Sequence, residues 1–314
     1  MRKCRVPRQS TPFVSSGSIN IRQGIESNIL EMSTDQSPVF LITGCSAGIG
    51  RELALAALVA GFRVIATARK LESLSDLESK GAKTLALDVT ASDEDLAAVA
   101  AKAIAIYGQI DFLLSNAGYG QAGAIEEMTS THVHAQFSTN FFGVVNTVNA
   151  FLPHFRQRRS GTLVQFSSEN TCTTLPGTGI YTASKAAVEA VSDTWALELA
   201  DFNIRSIVIQ PSGFRTNFFN YAGAAYSGSP VKTIGGYNTA HGVIDFLINT
   251  FPKVVPGDPV KAARNIIKLL TTSETLPRRF VVGDDSYRNF KVFYEKRLEE
   301  LELWKELSTG TNLD

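Results

Sequence analysis

From Val39 onward the chain alternates short apolar runs with longer amphipathic stretches. The first run, VFLIT, is followed by the glycine turn GCSAGIG and the helical pattern RELALAALVAG, and a second run, RVIATA, begins shortly afterwards. Further strands are predicted at 84–87, 111–116, 162–167, 204–210 and 278–283, with helices at about 93–106, 131–158, 181–200 and 259–271. Strands that alternate with helices over short links form a parallel sheet covered on both faces. The sequence therefore predicts an α/β fold with a doubly wound parallel sheet, which binds ligands at the carboxyl ends of its strands.

Shifts in composition divide the chain into three parts. Residues 1–37 are basic up to Glu26, rich in serine and without a regular apolar period, which predicts a disordered N-terminal tail. A mitochondrial transit peptide over residues 1–31, and sequence upstream of a natural start at Met32, are the alternatives. The alternation of strands and helices predicts a single domain over 38–285 with an insertion at 212–256, followed by a C-terminal helix and tail at 286–314.

The charge balance argues against several classes of partner. Thirty basic residues match thirty acidic ones, so we expect no nucleic acid partner and no attraction to acidic membranes. The three cysteines are too few and too scattered for a disulfide framework or a metal site, which indicates a reducing, cytoplasmic compartment. His132 and His134 point to different helix faces, so they predict no metal site either. No stretch is apolar enough to predict a membrane span.

The glycine turn after the first strand has the composition of a phosphate-binding loop. Glycines let the backbone approach a pyrophosphate at the N-terminus of the following helix. This turn follows a strand and opens a helix in the first βαβ unit, which favours a Rossmann dinucleotide site over a merely structural turn. The residues predicted to bind the cofactor here are Gly44, Ser46, Gly48, Ile49 and Gly50.

The ends of the next three strands carry further candidates for cofactor binding. A NAD-binding protein usually has an acid about 20 residues beyond the glycines to bind the ribose hydroxyls, whereas this chain has Arg69 and Lys70. The guanidinium of Arg69 suits a 2′-phosphate and predicts NADP(H), the alternative being a solvated arginine at a strand end. The later candidates, each of which could instead only cap its strand, are Asp88, Val89, Asn116, Ala117 and Gly118.

Residues 164–200 place three reactive side chains near the start of one helix. Ser168 follows a β-rich run, and Tyr181 and Lys185 are four residues apart, so on a helix they share a face. Moving a tyrosine pKa from about 10 to neutral pH is worth roughly 4 kcal/mol, and one ammonium at about 4 Å supplies roughly that amount in a partly screened site. Tyr181 is therefore predicted to transfer a proton, with Ser168 bonding the same substrate oxygen. The alternative is a surface Tyr and Lys on an amphipathic helix.

Seven motifs in register carry a resemblance to a known family. TGCSAGIG, LDVT, NAG, TNFFG, the spacing from Ser168 to Tyr181, YTASK and PSGFRT resemble the single-domain short-chain dehydrogenase/reductase family in order and spacing. The resemblance runs from about Val39 to Gly283. TGCSAGIG and VIATARKLESL are similar to the branch that holds NADPH-dependent 17-beta-hydroxysteroid dehydrogenases, retinol dehydrogenases and acyl-dihydroxyacetone-phosphate reductases.

The resemblance implies a role for each matching residue. Tyr181 would be the general acid and base, Lys185 would lower its pKa and bind the nicotinamide ribose, and Ser168 would hold the carbonyl. Asn140 would position a water that links Lys185 to solvent. Thr216 would contact the carboxamide, with Phe214 beside it among the cofactor-binding residues.

The chain departs from the family pattern at two places. Ser212 stands where a glycine is usual, which implies an altered turn beside the nicotinamide. Glu169 and Asn170 follow Ser168 where small apolar residues are commoner, which implies a charge near the pocket mouth.

The function implied is reversible hydride transfer between NADP(H) and a carbonyl or secondary alcohol, without a metal. The alternative from another class is a regulator that binds NADP(H) without turnover, although a sensor has no need of the Ser168, Tyr181 and Lys185 spacing. Enoyl reduction and sugar epimerisation rank lower, because the relatives that carry them out have other glycine or tyrosine motifs.

Two further expectations concern the substrate and the oligomer. The insertion at 212–256 is long for a connection and predicts a substrate loop for a bulky, apolar small molecule, with simple packing of its rings as the alternative. Its aromatic residues include Phe214, Phe218, Phe219, Tyr221, Tyr226, Tyr237 and Phe246. Helices 131–158 and 181–200 spread apolar residues over a wide arc, which predicts a homodimer or larger homo-oligomer. Those residues are Phe141, Phe142, Val188, Val191 and Trp195.

Overall fold

The strands of the sheet are parallel and lie in the switched order of a doubly wound fold. The structure, a computed structural model, describes residues 37–218 and 232–313. Within these ranges seven strands form one sheet in the order β3-β2-β1-β4-β5-β6-β7. They are β1 (Val39–Ile42), β2 (Arg63–Ala68), β3 (Lys83–Ala86), β4 (Phe112–Ser115), β5 (Gly161–Phe166), β6 (Ile204–Pro211) and β7 (Arg279–Val282). The predicted fold class is confirmed, and the order changes direction between β1 and β4, where such folds bind ligands.

Helices cover both faces of this sheet. They are α1 (Gly48–Val59), α2 (Ser75–Ser79), α3 (Asp93–Tyr107), α4 (Ser130–Phe137), α5 (Gly143–Arg158), α6 (Asn170–Thr173), α7 (Gly179–Glu198), α8 (Asn238–Asp245), α9 (Phe251–Val254), α10 (Pro259–Thr272), α11 (Asp284–Leu303) and α12 (Lys305–Ser308). None of the helices in the described ranges is long and apolar enough to cross a lipid bilayer.

Each face of the sheet has its own apolar core, because successive residues of a strand point to opposite faces. In β1, Phe40 and Ile42 join the core that includes the buried faces of α1 and α10. Val39 and Leu41 join the other core, with residues of α3, α5 and α7. The strand is therefore buried on both sides and appears in the sequence as a continuous apolar run.

The predicted helix over 131–158 is wrong in one respect. The π-helical turn Ser138–Phe142 separates α4 from α5. Such a turn closes its hydrogen bonds over one more residue than an α-helical turn, and nothing in helix propensity marks its position. The sequence pattern also predicts neither α2 nor the helices α8 and α9 inside the insertion.

The side chains expected at a subunit interface lie mostly inside the domain. Val188 and Trp195 belong to the core, and Phe141 and Val191 pack against it partly buried. Phe142 is 52% exposed. Helix α7 therefore uses Val188 and Trp195 to pack inside the domain, and these two side chains are not left over for a second subunit. The homo-oligomer itself stays a prediction.

Two other expectations fall on residues that the structure does not describe. The predicted N-terminal tail, apart from Ser37, lies outside the described residues, and so do the loop aromatics Phe219, Tyr221 and Tyr226.

The contact of the first residue of β5 with α5 leads to a prediction about stability. Gly161 has a φ of +154°, and a Cβ there would lie 2.1 Å from Cδ1 of the buried Phe155. Gly81 also has a positive φ, +100°, but nothing lies within 4 Å of a Cβ built on it. Gly161→Ala is expected to lower the free energy of unfolding by about 1–3 kcal/mol more than Gly81→Ala, because overpacking adds to the backbone strain that both share. Urea unfolding followed by circular dichroism measures the difference, and equal losses would contradict the clash.

Candidate active site

A cavity of about 800 Å³ opens at the carboxyl ends of the strands. Its volume lies in the range of small-molecule sites. Residues from the ends of six strands, β1 to β6, and from α7 meet in its wall. The predicted site residues that line it are Gly44, Ser46, Gly48, Ile49, Arg69, Asp88, Val89, Asn116, Ala117, Gly118, Ser168, Tyr181, Lys185, Phe214 and Thr216. The other two predicted residues, Gly50 and Asn140, are buried.

The glycine turn after β1 is packed tightly against the end of β4. Gly44 has a φ of +75°, and a Cβ on it would lie 2.9 Å from Cα of Ala117. A Cβ on Gly50 would lie 2.3 Å from the side-chain nitrogen of Asn116. That nitrogen donates hydrogen bonds to the carbonyl oxygens of Thr43 at 2.9 Å and Gly44 at 3.3 Å. The side chain of Asn116 therefore holds the glycine turn in shape, while the residue also lines the cavity.

Helix α1 begins at this turn without a side-chain cap. Its N-cap residue, Ala47, has no side-chain oxygen to accept a hydrogen bond from the first backbone N–H groups, and the first turn contains no acid. The first backbone N–H groups of a helix then remain available to an anion, which the helix dipole also favours. Thr216, in the loop after β6, approaches Gly48 from across the cavity, with its Cβ 3.6 Å from the Cβ position of that glycine. These residues fit the pyrophosphate of a nicotinamide dinucleotide.

The end of β2 contributes a cation to the cavity. Ala68 is buried and Arg69 exposed, and both line the cavity. Burial raises the pKa of Tyr119, and the nearby Arg69 guanidinium opposes that shift. At the end of β3, Asp88 accepts hydrogen bonds from the backbone and hydroxyl of Thr90 at 2.9 and 2.7 Å. Asp88 therefore caps its strand and lines the cavity as well.

Tyr181 and Ser168 meet in the wall of the cavity. Ser168 follows β5, and Tyr181 lies in the first turn of α7. The Ser168 hydroxyl hydrogen-bonds the Tyr181 phenol and also accepts from the backbone N–H of Asn170 at 3.2 Å. Burial raises the pKa of Tyr181 to about 12, which the bond to Ser168 partly opposes. At neutral pH the phenol therefore carries its proton and can give it to a substrate oxygen.

Lys185 is buried beside this pair. Its Nζ donates to the carbonyl oxygen of Phe166 at 2.8 Å and lies 5.9 Å from the centre of the Tyr181 ring. Burial lowers the pKa of Lys185 to about 8, because surroundings of low polarity disfavour the ammonium. The same surroundings disfavour a tyrosinate. The structure therefore does not show the lowered Tyr181 pKa that the sequence predicts, since burial raises this pKa and the bond to Ser168 only partly opposes the shift.

Asn140 lies in the π-helical turn between α4 and α5, and π-helical turns occur often at functional sites. Its side chain accepts from the backbone N–H of Tyr119 at 3.1 Å and donates to the carbonyl oxygen of Tyr119 at 2.9 Å and the Ser184 hydroxyl at 3.2 Å. Asn140 and Lys185 are neighbours across Gly118, where an added Cβ would lie 3.1 Å from Oδ1 of Asn140 and 3.3 Å from Nζ of Lys185.

The two departures from the family pattern are accommodated by the C-terminal part of the chain. A Cβ on Gly283 would lie 2.0 Å from Oγ of Ser212, so that glycine makes room for the serine. Glu169 lines the cavity, and burial together with the negative charge of Asp285 raises its pKa to about 7, while a hydrogen bond with Asn289 opposes the shift. The expected charge near the pocket is therefore a carboxyl group that titrates near neutral pH.

The insertion forms much of the remaining wall. Of its predicted aromatics, Phe214, Phe218 and Phe246 line the cavity, whereas Tyr237 does not and hydrogen-bonds Glu126 instead. Sequence reasoning missed further lining residues, which are Gln121, Ala122, Leu175, Thr178, Val243, Leu247 and Phe251. Val243, Leu247 and Phe251 are spaced four residues apart, a helical period that could have indicated a shared face.

Comparisons with known proteins agree with this geometry. The family model described as short chain dehydrogenase matches residues 38–227. Oxidoreductase BOA17 of Botryotinia fuckeliana is 35% identical over 278 residues, which cover 87% of this chain and 98% of that protein. The 3-ketodihydrosphingosine reductase of Bacteroides thetaiotaomicron is 39% identical over 184 residues, 58% of this chain and 66% of that protein. The crystal structure of a short-chain dehydrogenase from Streptomyces avermitilis has a TM-score of 0.76 and 35% identity, and covers 88% of this chain and 99% of that one.

This chain combines the strand order of a doubly wound fold with the glycine turn and the cluster of Ser168, Tyr181 and Lys185. The matched family model and the relatives indicate the same family of proteins as these features do. The chain belongs to the short-chain dehydrogenase/reductase family, an oxidoreductase family that binds a nicotinamide cofactor.

Proposed function

We propose that this protein uses NADP(H) to interconvert a carbonyl and a secondary alcohol on a bulky, apolar small molecule. One observation carries the proposal: the hydrogen-bonded hydroxyls of Ser168 and Tyr181 lie beside buried Lys185, in the wall of the same cavity that the glycine turn lines. The same cavity therefore contains a proton donor and residues that fit the nucleotide.

The chain's residues supply the proton and the orientation. When bound, the cofactor supplies or accepts a hydride. Ser168 and Tyr181 hold the substrate oxygen between two hydroxyls, and in reduction Tyr181 gives that oxygen its proton. Asn170 keeps the Ser168 hydroxyl in place. Lys185 offsets the negative charge left on the phenol oxygen, and in oxidation the proton moves in the opposite direction.

A regulator that binds NADP(H) without turnover is less well supported. Binding alone requires neither a protonated phenol in the cavity wall nor a serine bonded to it. The pair Ser168 and Tyr181 is used fully only when a carbonyl oxygen has to be protonated.

Removal of the phenol hydroxyl tests this assignment. Tyr181→Phe keeps the ring but removes the proton donor, so turnover is expected to fall by about 10²-fold or more. NADPH binding, followed by its fluorescence, should remain close to that of the unmodified protein. Tyr107→Phe, at the end of α3 and away from the cavity, is the matched control and should keep full turnover. Near-normal turnover in the Tyr181 variant would remove this residue from the proton-donor role.

The choice of NADP(H) over NAD(H) is supported by charge at the end of β2. The cavity wall there holds Ala68 and Arg69, with no carboxylate at either position. A guanidinium can bond two oxygens of a 2′-phosphate, whereas a carboxylate would accept from a 2′-hydroxyl and repel the phosphate. Lys70 is exposed and does not line the cavity, which makes Arg69 the better candidate.

Kinetics with both cofactors test this choice. One charge-assisted contact is worth about 1.5–3 kcal/mol, so kcat/KM is expected to favour NADPH over NADH by about ten- to a hundred-fold. Arg69→Ala should remove most of the preference with little loss of NADH activity, and Ala68→Asp should reverse it. Lys70→Ala is the control and should leave the ratio unchanged. A preference that survives Arg69→Ala would place the phosphate elsewhere.

The apolar substrate is supported by the part of the cavity that the insertion builds. Phe218, Phe246, Leu247 and Phe251 line this part, and the Phe218 ring centre lies 5.9 Å from that of Tyr181. The relative from Bacteroides thetaiotaomicron is named a 3-ketodihydrosphingosine reductase, so at least one similar protein acts on a ketone. A long or polycyclic ketone would bury its carbon skeleton against these side chains while its oxygen reached Tyr181.

A chain-length series of methyl ketones tests the apolar pocket. Each buried methylene contributes about 0.8 kcal/mol, so kcat/KM with NADPH should rise by up to about fourfold per carbon until the cavity is filled. Leu247→Asp should flatten that rise and spare the shortest ketone. A flat series for the unmodified protein, with faster turnover of small keto acids, would rule the apolar pocket out.

A further inference from the structure

Glu189 lies on α7 one turn beyond Lys185, outside the set of residues that line the cavity. Its side chain is only 13% exposed. Its carboxylate accepts hydrogen bonds from β6, β7 and the segment after β5. The donors are Oγ of Ser167 at 2.6 Å, Oγ1 of Thr171 at 2.9 Å, Nε2 of Gln210 at 2.9 Å and Nε of Arg279 at 3.3 Å.

Two of these donors flank Ser168 in the chain. Ser167 precedes it directly, and Thr171 follows three residues later, in the short helix α6. The Thr171 hydroxyl also lies 2.9 Å from the carbonyl oxygen of Ser168. The segment that presents the Ser168 hydroxyl is therefore attached to α7 on both sides.

Helix α7 is also the element that carries Tyr181 and Lys185. Hydrogen bonds to a carboxylate are shorter and stronger than bonds between neutral groups. They are stronger still where water is largely excluded. The carboxylate of Glu189 thus fixes the strand end that carries one substrate-holding hydroxyl against the helix that carries the other.

We propose that Glu189 is a positioning residue that sets the geometry of Ser168 relative to Tyr181. The inference rests on the proposed function, because it concerns the two hydroxyls that hold the substrate oxygen there. Small displacements of such groups have large effects on rate, since a misplacement of about 1 Å can cost about 10²-fold.

Asp193 provides a matched comparison within the same helix. It lies one turn further along α7 and binds the same arginine, with Nη1 and Nη2 of Arg279 at 3.1 and 2.6 Å. Ser167 and Thr171 donate to Glu189 and not to Asp193. Loss of Asp193 therefore removes an anchor between α7 and β7 without releasing either flank of Ser168.

Steady-state kinetics on an accepted ketone give the first test. Glu189→Ala should lower kcat by about tenfold or more, because Ser168 loses its fixed position. The Kd of NADPH should stay unchanged, and Asp193→Ala should retain kcat even where its melting temperature falls. Glu189→Gln, whose amide oxygen still accepts from both hydroxyls, should recover most of kcat. An equal loss of kcat in the Asp193 and Glu189 variants would reduce Glu189 to a structural anchor and overturn the proposal.

A double-mutant comparison separates positioning from general stability. If Glu189 acts through Ser168, Glu189→Ala should have little further effect on kcat once Ser168→Ala has been made, as groups that act as a unit are strongly non-additive. The same fold-loss in both backgrounds would overturn the proposal. Full activity of Ser168→Ala by itself would instead overturn the proposed function, so the two failures are distinguishable.

Thr171→Val carries the test if Glu189→Ala does not fold. This change removes one of the two flanking hydrogen bonds and keeps the side-chain shape. If Thr171→Val lowers kcat in the unmodified protein but has no further effect on kcat in the Ser168→Ala background, the result supports positioning through Glu189. An unchanged kcat in Thr171→Val overturns it.

Discussion

The hydrogen bond from Lys185 to the carbonyl oxygen of Phe166, 2.8 Å long, joins the end of β5 to helix α7. An ammonium buried away from water requires such a partner, because its desolvation is otherwise costly. The bond brings the strand end that leads to Ser168 against the helix turn that carries Tyr181. A second connection, from the Asn116 side chain to the carbonyl of Thr43, joins the glycine turn to the end of β4. The cavity thus depends on strand ends that are tied to their neighbours by buried polar groups.

The two parts of the cavity wall differ in the chemical groups that form them. The part proposed for the nucleotide consists of backbone, short side chains and Arg69 at the ends of β1, β2 and β4, where the parallel sheet itself fixes the backbone positions. The other part consists of apolar side chains from the insertion, including Val243, Leu247 and Phe251. The position of the first part follows from the fold, whereas the second depends on how one connection packs over the sheet.

Most of the fold could be predicted from the sequence because the strands are buried on both faces. VFLI and RVIATA are uninterrupted apolar runs, and their ends differ from the predicted ones by no more than one residue. That residues at the strand ends line one cavity could be predicted for the same reason, since topology brings those ends together. The role of Glu189 could not, because its four donors are brought to it only by tertiary packing. Nor could the sign of the Tyr181 pKa shift, because the four-residue spacing to Lys185 shows proximity and gives no measure of burial.

The π-helical turn Ser138–Phe142 places α4 and α5 in different helical phases. An α-helix turns by about 100° per residue, so one additional residue in a turn rotates everything after it by about that angle. His132 and Gln136 face inward before the turn, and Val148 and Phe151 face inward after it. If α4 and α5 were one uninterrupted α-helix, these positions would spread around it and suggest a second apolar surface. Because the π-helical turn changes the helical phase, these positions instead form one continuous stripe. Deleting one residue from this turn would therefore leave the sequence on either side unchanged but rotate one helix by about 100° relative to the other. One of the two helices would then turn its core residues toward solvent.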